Sequence, residues 1–246
     1  MSVAAVVAVA LTYEWLSLRA GGWGRWRGAA FMSGCAVLIL GLSLHSHDVT
    51  VHMTQHLLVA MVAPIGLVLG APVTLLLRTL GAPAGRRVTR LLRTRLVRLL
   101  TRPVVALLLS AGSLALLYLT PLYAYAMSDP AVHAALLAHF LASGCLFVWV
   151  IAGPDPAPHR PSVRARLVVL GVAIAAHATL SQLLYAGALV QVPATDADRQ
   201  TAATVMYYGG DLAELILAFA VVQTRGPARR RPSLARPGQG VAPVCQ

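Results

Sequence analysis

The chain has 246 residues, of which 58% are hydrophobic and 11% are charged, and its mean hydropathy is +0.72. This composition exceeds what the core of a soluble domain needs and indicates a protein of the lipid bilayer. The formal net charge of +12 does not indicate nucleic-acid binding, because no basic stretch alternates with aromatic residues. All 20 basic residues are arginine, which excludes lysine Schiff-base chemistry such as retinal binding.

Seven apolar stretches approach the roughly 20 residues that cross a hydrocarbon core of about 30 Å. They predict an all-α polytopic bundle of about seven transmembrane helices, which together form one membrane domain over residues 1–225. The predicted spans are 2–18, 28–44, 52–77, 103–127, 132–152, 167–189 and 204–222. Residues 226–246 are rich in proline and arginine and are predicted to form a disordered cytoplasmic tail.

The connections between these spans alternate in arginine content. Arginines follow the first, third, fifth and seventh spans, whereas the other connections carry histidine or aspartate, and only Arg199 breaks the alternation. By the positive-inside rule, the N-terminus lies outside and the C-terminus inside.

In the third connection, arginines recur at three- and four-residue steps beside a leucine face. This is typical of an interfacial helix on anionic lipid, with partner docking as the alternative.

Histidines gather where the third span begins. His52 and His56 stand four residues apart and therefore share one helix face, with Met53 between them. His45 and His47 lie just upstream and either join this group or are simply solvated. Because ionisable side chains inside spans are costly, each is a functional candidate, with hydrogen bonding at the interface as the structural alternative.

Later spans carry further ionisable side chains. The fifth span opens with His133 and places His139 about 9 Å deeper at helical rise. His177 lies mid-span in the sixth, and Asp211 and Glu214 share a face of the seventh. We expect cross-helix pairs of His139 with Asp211 and of His177 with Glu214. In these pairs the carboxylates would fix imidazole tautomers or carry protons.

The combination of imidazole and thioether groups suits copper, and Cu(I) in particular, whereas Mg²⁺ or Ca²⁺ would need clustered carboxylates. The predicted metal-binding residues are His52, Met53, His56, His133 and His139. The four-residue histidine spacing also suits zinc or haem. A zinc peptidase is excluded, because the segment from His52 to His56 lacks the glutamate that acts as the general base.

These residues resemble a known family, the multispanning CtaG assembly factors of cytochrome c oxidase. The resemblance covers most of residues 45–222 and is carried by ordered blocks. These include His52-Met53-Thr54-Gln55-His56, the stretch from His133 to His139-Phe140, Gly153-Pro154-Asp155-Pro156, Asp198-Arg199-Gln200 with Met206, and Gly209-Gly210-Asp211.

The resemblance implies a plasma-membrane protein of seven spans, without enzymatic turnover, that is needed for active cytochrome c oxidase. It implies that the protein helps copper, bound transiently as Cu(I), to reach the oxidase subunits on the outer side. The implied functional histidines are His52, His56, His133 and His139, with Asp198 and Met206 as weaker members. The family pattern has Asp followed directly by Gln, whereas Arg199 separates Asp198 from Gln200 here.

Two other functions fit the same residues. A haem-binding membrane cytochrome would use His139 and a histidine of another helix as axial ligands. A metal or proton transporter would use His177, Asp211 and Glu214 as a relay across the midplane. The scarcity of polar residues in the inner halves of the spans argues against a path through the membrane.

Overall fold

The computed structural model describes residues 2–44, 46, 48–158 and 160–223, and these residues form helices and no strand. The helices are α1 Val3–Arg19, α2 Arg25–Ser43, α3 Val49–Thr79, α4 Ala82–Leu92, α5 Arg95–Leu100, α6 Pro103–Leu119, α7 Leu122–Ser128, α8 Pro130–Ile151, α9 Val163–Ala186 and α10 Asp196–Gln223. The all-α prediction is confirmed. The predicted tail, 226–246, lies outside the described residues.

Within the described part of the chain, α2, α3, α8, α9 and α10 are long and apolar enough to cross a membrane, and α6 with α7 would make a sixth span. Helix α1 has 17 residues, or about 26 Å, which is short of a core of about 30 Å. Large apolar side chains cover the outside of the bundle, among them Leu11, Leu40, Leu108, Val168, Leu212 and Phe219. The chain is a multi-pass membrane protein, while the count of seven stays a prediction.

Side-chain contacts between helix ends show which ends lie together. Gln55, near the start of α3, bonds to carbonyls at the end of α2, and His52 contacts His133 at the start of α8. One apolar cluster joins these residues to the ends of α6 and α9 and to the start of α10. One end of the bundle therefore holds the last residues of α2, α6 and α9 and the first residues of α3, α8 and α10. We call it the histidine end.

The opposite end, which we call the arginine end, holds every described arginine except Arg199. The Nη2 atom of Arg199 lies 2.7 Å from Asp196 Oδ1, and its Nε donates to the Leu184 carbonyl at 3.1 Å. This exception to the arginine alternation is thus paired with a carboxylate at the histidine end. The orientation predicted from the other arginines stays a prediction.

Helix α3 is irregular at both of its prolines. A π-helical turn at Leu58–Val62 precedes Pro64, and the helix is interrupted at Gly70 and Ala71 before it restarts at Pro72. Proline lacks an N–H and crowds the preceding turn, which a π-turn accommodates. Ala71 adopts a left-handed conformation with φ 54°. Both irregularities lie beside prolines, one near the middle of α3 and one near its arginine end.

The restarted segment of α3 is capped from the loop that follows α8. The buried carboxylate of Asp155 accepts hydrogen bonds from Val73 N at 3.1 Å, from Thr74 N at 2.7 Å and from the Thr74 hydroxyl at 2.6 Å. Arg160 donates to the carbonyls of Gly153 and Asp155. A carboxylate at a helix N-terminus satisfies otherwise unpaired N–H groups. The Gly153-Pro154-Asp155-Pro156 block therefore ties the arginine ends of α3 and α8 together.

The predicted fourth span, 103–127, is not one continuous helix. Helix α6 ends at Leu119 and contains a π-helical turn at Leu108–Gly112, and α7 runs at 83° to it. Thr120 is extended, as expected of a residue before a proline, and Pro121 cannot continue the hydrogen-bond ladder. The apolar composition continues through this break, which is why hydropathy alone did not reveal it.

The arginine-rich connection, expected to be one interfacial helix, consists of the two short helices α4 and α5. The Thr94 hydroxyl accepts a hydrogen bond from Val97 N at 3.4 Å and caps α5. Leu91, Leu96 and Leu99 are exposed on this hairpin. An exposed leucine face beside arginines agrees with the proposed position on the lipid surface, which stays a prediction.

Helices α2 and α3 pack closely because glycines face each other. A Cβ on Gly34 would stand 2.5 Å from Leu67 N, and a Cβ on Gly66 would stand 2.6 Å from the Ala30 carbonyl oxygen. Small residues allow helix backbones in a membrane to approach at short distance. This packing positions the part of α3 that carries the histidines.

We expect Gly66→Val to separate α2 from α3 and to destabilise the protein by about 1–3 kcal/mol, the range typical of overpacked cores. The measurement is the midpoint of thermal unfolding in detergent. Gly171→Val on α9 is the matched control, because nothing lies within 4 Å of a Cβ there. Equal midpoints for the two variants would contradict close packing at Gly66.

Candidate functional site

Helix α3 starts at Asp48, whose Oδ1 accepts hydrogen bonds from Thr50 N at 2.7 Å and Val51 N at 3.1 Å. A cap of this kind fixes the start of a helix and hence the direction of each later side chain. His52, Gln55 and His56 follow at positions that share one face, and they are 7%, 4% and 5% exposed. The motif therefore places three polar side chains inside the bundle.

Helix α8 brings the fourth polar group. Asp129 caps it through Ala131 N at 2.7 Å and Val132 N at 3.3 Å, and Pro130 occupies the first helical position. His133 follows in the first turn of α8. Its ring lies 5.7 Å, centroid to centroid, from the ring of His52, at an interplanar angle of 41°. The structure thus pairs one predicted histidine of α3 with one of α8.

Gln55 connects three helices at this point. Its side-chain amide nitrogen donates to the carbonyls of Gly41 at 3.1 Å and Leu44 at 2.8 Å at the end of α2. Its Oε1 lies 3.2 Å from Nε2 of His133. The Gln55 oxygen can only accept, so this contact places a proton on His133 Nε2. Gln55 therefore selects the tautomer and orientation of His133.

Aromatic side chains form the walls around the two histidines of α3. The Tyr123 ring meets His52 edge to face at 5.0 Å, and the Phe140 ring meets His56 in the same way at 4.4 Å. Tyr118 lies 6.4 Å from His56. His52 Nε2 and the Tyr123 hydroxyl are buried without a hydrogen-bond partner among the described residues. The pocket is thus apolar and offers a free imidazole nitrogen.

Methionine sulfur lies near the histidines but is already engaged. The Tyr118 hydroxyl donates to Met53 Sδ at 3.1 Å, and Met53 is 1% exposed. Met206 is buried in the same apolar cluster as Met53. Both predicted methionines are therefore near the site, and in this arrangement Met53 accepts a hydrogen bond from a tyrosine.

The structure does not place His139 with the His52–His133 pair. Among the described residues, no histidine ring contacts it, its ring lies against Phe140, and its buried Nε2 has no partner. Six residues after His133, it is rotated by about 240° around α8 at 3.6 residues per turn, so it faces elsewhere. No hydrogen bond or ion pair joins it to Asp211 within this described region.

The second expected pair is present. His177 Nδ1 lies 3.9 Å from Glu214 Oε1, and both side chains are buried. His56 lines the same cavity as these two residues, one turn of α3 beyond His52. The predicted ionisable residues therefore fall into two groups, which are the His52–His133 pair at the end of the bundle and the His177–Glu214 pair deeper inside.

The weaker candidates have other roles or lie outside the described residues. Asp198 is exposed and completes a capping box at the start of α10, where the Thr195 hydroxyl donates to its Oδ2 at 2.6 Å and accepts from its N at 3.2 Å. Its inserted neighbour Arg199 pairs with Asp196. His45 and His47 lie outside the described residues.

The donor set near His52 fits a soft monovalent cation better than a hard divalent one. No three His, Cys, Asp or Glu side chains of the described residues are grouped so that they could hold a metal ion. The nearest capping carboxylates, Asp48 and Asp129, each commit an oxygen to backbone N–H groups. Two imidazoles approach each other in an apolar pocket, and imidazole is a ligand that suits copper.

Three functional candidates were missed by reasoning from the sequence, namely Gln55, Tyr118 and Tyr123. The candidates from the sequence were acidic, histidine and methionine side chains, and glutamine and tyrosine are none of these. Gln55 had a usable signal, because it lies between two histidines on the same buried helix face. The tyrosines had none, since only the packing of α6 and α7 on α3 brings them to the histidines.

Comparison with known proteins gives one family. The family model described as cytochrome c oxidase caa3 assembly factor (Caa3_CtaG) matches residues 8–225. The chain is 34% identical over 188 residues to uncharacterized protein Mb0105 of Mycobacterium bovis and to uncharacterized protein MT0111 of Mycobacterium tuberculosis. Each match covers 72% of this chain and 28% of the relative. No solved structure matches the chain.

A similar match joins the chain to uncharacterized protein ML1998 of Mycobacterium leprae, at 34% identity over 168 residues. It covers 63% of this chain and 26% of that protein. The chain therefore spans little more than a quarter of the length of these relatives.

Gln55→Leu is expected to leave the Gly41 and Leu44 carbonyls without their donor and to destabilise the protein by about 1–3 kcal/mol. Thermal unfolding in detergent measures this cost. Gln182→Leu, on the exposed face of α9, is the control and should leave the midpoint unchanged. A Gln55→Leu midpoint equal to that of the wild type would show that the amide does not join the helices.

Proposed function

The chain belongs to the family of cytochrome c oxidase caa3 assembly factors, and we propose that it serves oxidase assembly by holding Cu(I) at the histidine end and passing it to an oxidase subunit. The observation that carries this proposal is the approach of two imidazoles from different helices. His52 and His133 have ring centroids 5.7 Å apart, and His52 Nε2 is buried without a described hydrogen-bond partner.

The surroundings of the pair support a soft cation. The walls are aromatic and apolar. Imidazole suits copper, whereas carboxylates and carbonyls favour Mg²⁺ and Ca²⁺. The copper ion is the cargo in this proposal. The chain contributes His52 as a free donor and His133 as a second donor that Gln55 orients.

The position of the pair suits transfer rather than storage. It lies at the end of the bundle, where α3 and α8 begin, and His133 is only half-buried. A subunit that offers more ligands would draw the ion from a site with two. The arginines are concentrated at the opposite end, so the positive-inside rule puts the histidine end on the outer side of the plasma membrane. The role needs no enzymatic turnover.

We expect His52→Ala and His133→Ala to weaken Cu(I) binding by about tenfold or more, which corresponds to a loss of about 1.4 kcal/mol or more. Competition titration of the purified protein against a Cu(I) chelator under reducing, anaerobic conditions measures the affinity. His139→Ala is the matched control, a histidine of the same helix as His133 that faces away, and it should bind like the wild type.

Thermal unfolding of each variant separates loss of a ligand from loss of the fold. Equal weakening in all three variants, with unchanged unfolding midpoints, would mean that the pair is not the site. A His45→Ala/His47→Ala double variant tests whether the two upstream histidines add ligands.

A cell that lacks this protein and is complemented with His52→Ala or His133→Ala is expected to have low cytochrome c oxidase activity when copper is scarce. Activity and copper content of the purified oxidase are the readouts, with His139→Ala as the control. Added copper should restore part of the activity, because a delivery step can be bypassed at high concentration. Wild-type oxidase activity with His52→Ala at low copper would contradict the proposed role of His52.

A further inference from the structure

A mainly apolar cavity with a few polar lining residues lies inside the bundle, beyond the His52–His133 pair. It has a volume of about 60 Å³ and is lined by residues of α3, α6, α8, α9 and α10. Its polar lining residues are His56, Ser110, Ser143, His177 and Glu214. At about 15 Å³ of this volume per molecule, it has room for about four waters.

Two atoms on the wall of this cavity need hydrogen-bond partners. His177 Nε2 and Glu214 Oε2 are buried and have none among the described residues. The direct contact between the two side chains, His177 Nδ1 to Glu214 Oε1, measures 3.9 Å and is too long for a hydrogen bond. His177 is 6% exposed and Glu214 is 5% exposed. Buried polar atoms in lipid are costly unless paired, so a small hydrogen-bonding ligand is required here.

The backbone opens toward this cavity from two sides. The π-helical turns Leu58–Val62 of α3 and Leu108–Gly112 of α6 both contribute lining residues, among them Ala60 and Ser110. A π-turn widens a helix locally and recurs at functional sites. Two such turns facing one cavity make it a built feature of the fold.

The ring of His177 packs against the backbone of α10. A Cβ on Gly210 of α10 would overlap this ring. The α10 backbone therefore presses against the imidazole and holds it beside Glu214, one turn further along α10. No side chain larger than glycine could occupy this position without moving the ring.

The charged and titratable groups near Glu214 are few. Helix α3 presents His56, and α9 presents His177. Helix α10 adds Asp211, which is half-buried and lies one turn before Glu214. Helices α6 and α8 present only the hydroxyls of Ser110 and Ser143. No arginine among the described residues lines the cavity. A carboxylate at Glu214 would therefore have no permanent cation beside it. A bound proton would neutralise its charge, and water would supply hydrogen bonds to its oxygen atoms.

We propose that this cavity is an internal site for a hydrated proton, in which about four waters bridge His177 to Glu214 and Glu214 Oε2 carries one exchangeable proton. Hydronium that enters from the solvent supplies the proton: one of its O–H bonds breaks, an O–H bond to Oε2 forms, and the remaining neutral water accepts a hydrogen bond from the new O–H group, with no change in oxidation state. The site is separate from the His52–His133 pair and does not depend on copper.

Infrared spectroscopy of the full chain in nanodiscs tests the site directly, because the carbonyl stretch of a protonated carboxyl group is resolved from the amide bands. We expect one such band at neutral pH that shifts promptly in D₂O, is lost in Glu214→Gln and is kept in Asp211→Asn.

The chain has two glutamates, Glu14 and Glu214. Labelling Glu14→Gln protein with [¹³C]glutamate assigns the band to Glu214 without altering the cavity, even where Glu214→Gln does not fold.

The absence of a labelled carboxylic-acid band at every pH at which the protein is folded would overturn the proton site. A band that is present but does not shift in D₂O would show that the cavity is dry and would equally overturn the proposal. Ser110→Leu, which fills the cavity from α6, should leave the band in place and slow its shift in D₂O. An unchanged shift in that variant would mean that the exchanging water is not in this cavity.

Discussion

The side-chain amide of Gln55 holds the histidine end of the bundle together. In water such a group would be one polar contact among many, but inside a membrane every donor and acceptor must find a partner within the protein. Gln55 meets this requirement on three helices at once. Its nitrogen donates to two carbonyls at the end of α2, and its oxygen faces the ring of His133 on α8. The position of His133 beside His52 depends on these contacts.

The same constraint separates the polar residues of the interior into two groups. At the histidine end, the capping carboxylates and Gln55 satisfy the backbone and leave one free imidazole nitrogen on His52. Deeper in the bundle, His177 and Glu214 face a cavity that two π-helical turns widen. One group suits a soft cation, and the other suits water and a proton.

Much of this arrangement could be predicted from the sequence. Hydropathy predicted the long helices, and helical spacing predicted that His52 and His56 share a face. The positions of His177 and Glu214 within their spans predicted that both lie at a similar depth in the membrane and approach each other. Their nearest charged atoms are 3.9 Å apart. Each of these expectations rests on periodicity or rise along a single helix, and these are local properties.

The remaining features depend on how helices pack, which periodicity does not contain. His133 and His139 were grouped because both lie on α8, but six residues rotate His139 away from His52. Thr120 and Pro121 bend the fourth predicted span by 83°, and this bend brings Tyr123 against His52. Gln55 was passed over because a neutral amide is not a usual metal ligand. Its importance comes from partners on α2 and α8 that are distant in sequence.

The most direct test of the paired-imidazole site is X-ray absorption spectroscopy of the purified protein loaded with one equivalent of Cu(I). We expect a first shell of nitrogen with the outer scattering of imidazole and without sulfur, because Tyr118 already engages Met53 Sδ. A first shell dominated by sulfur, or an imidazole signal that survives unchanged in a His52→Ala/His133→Ala double variant, would contradict it.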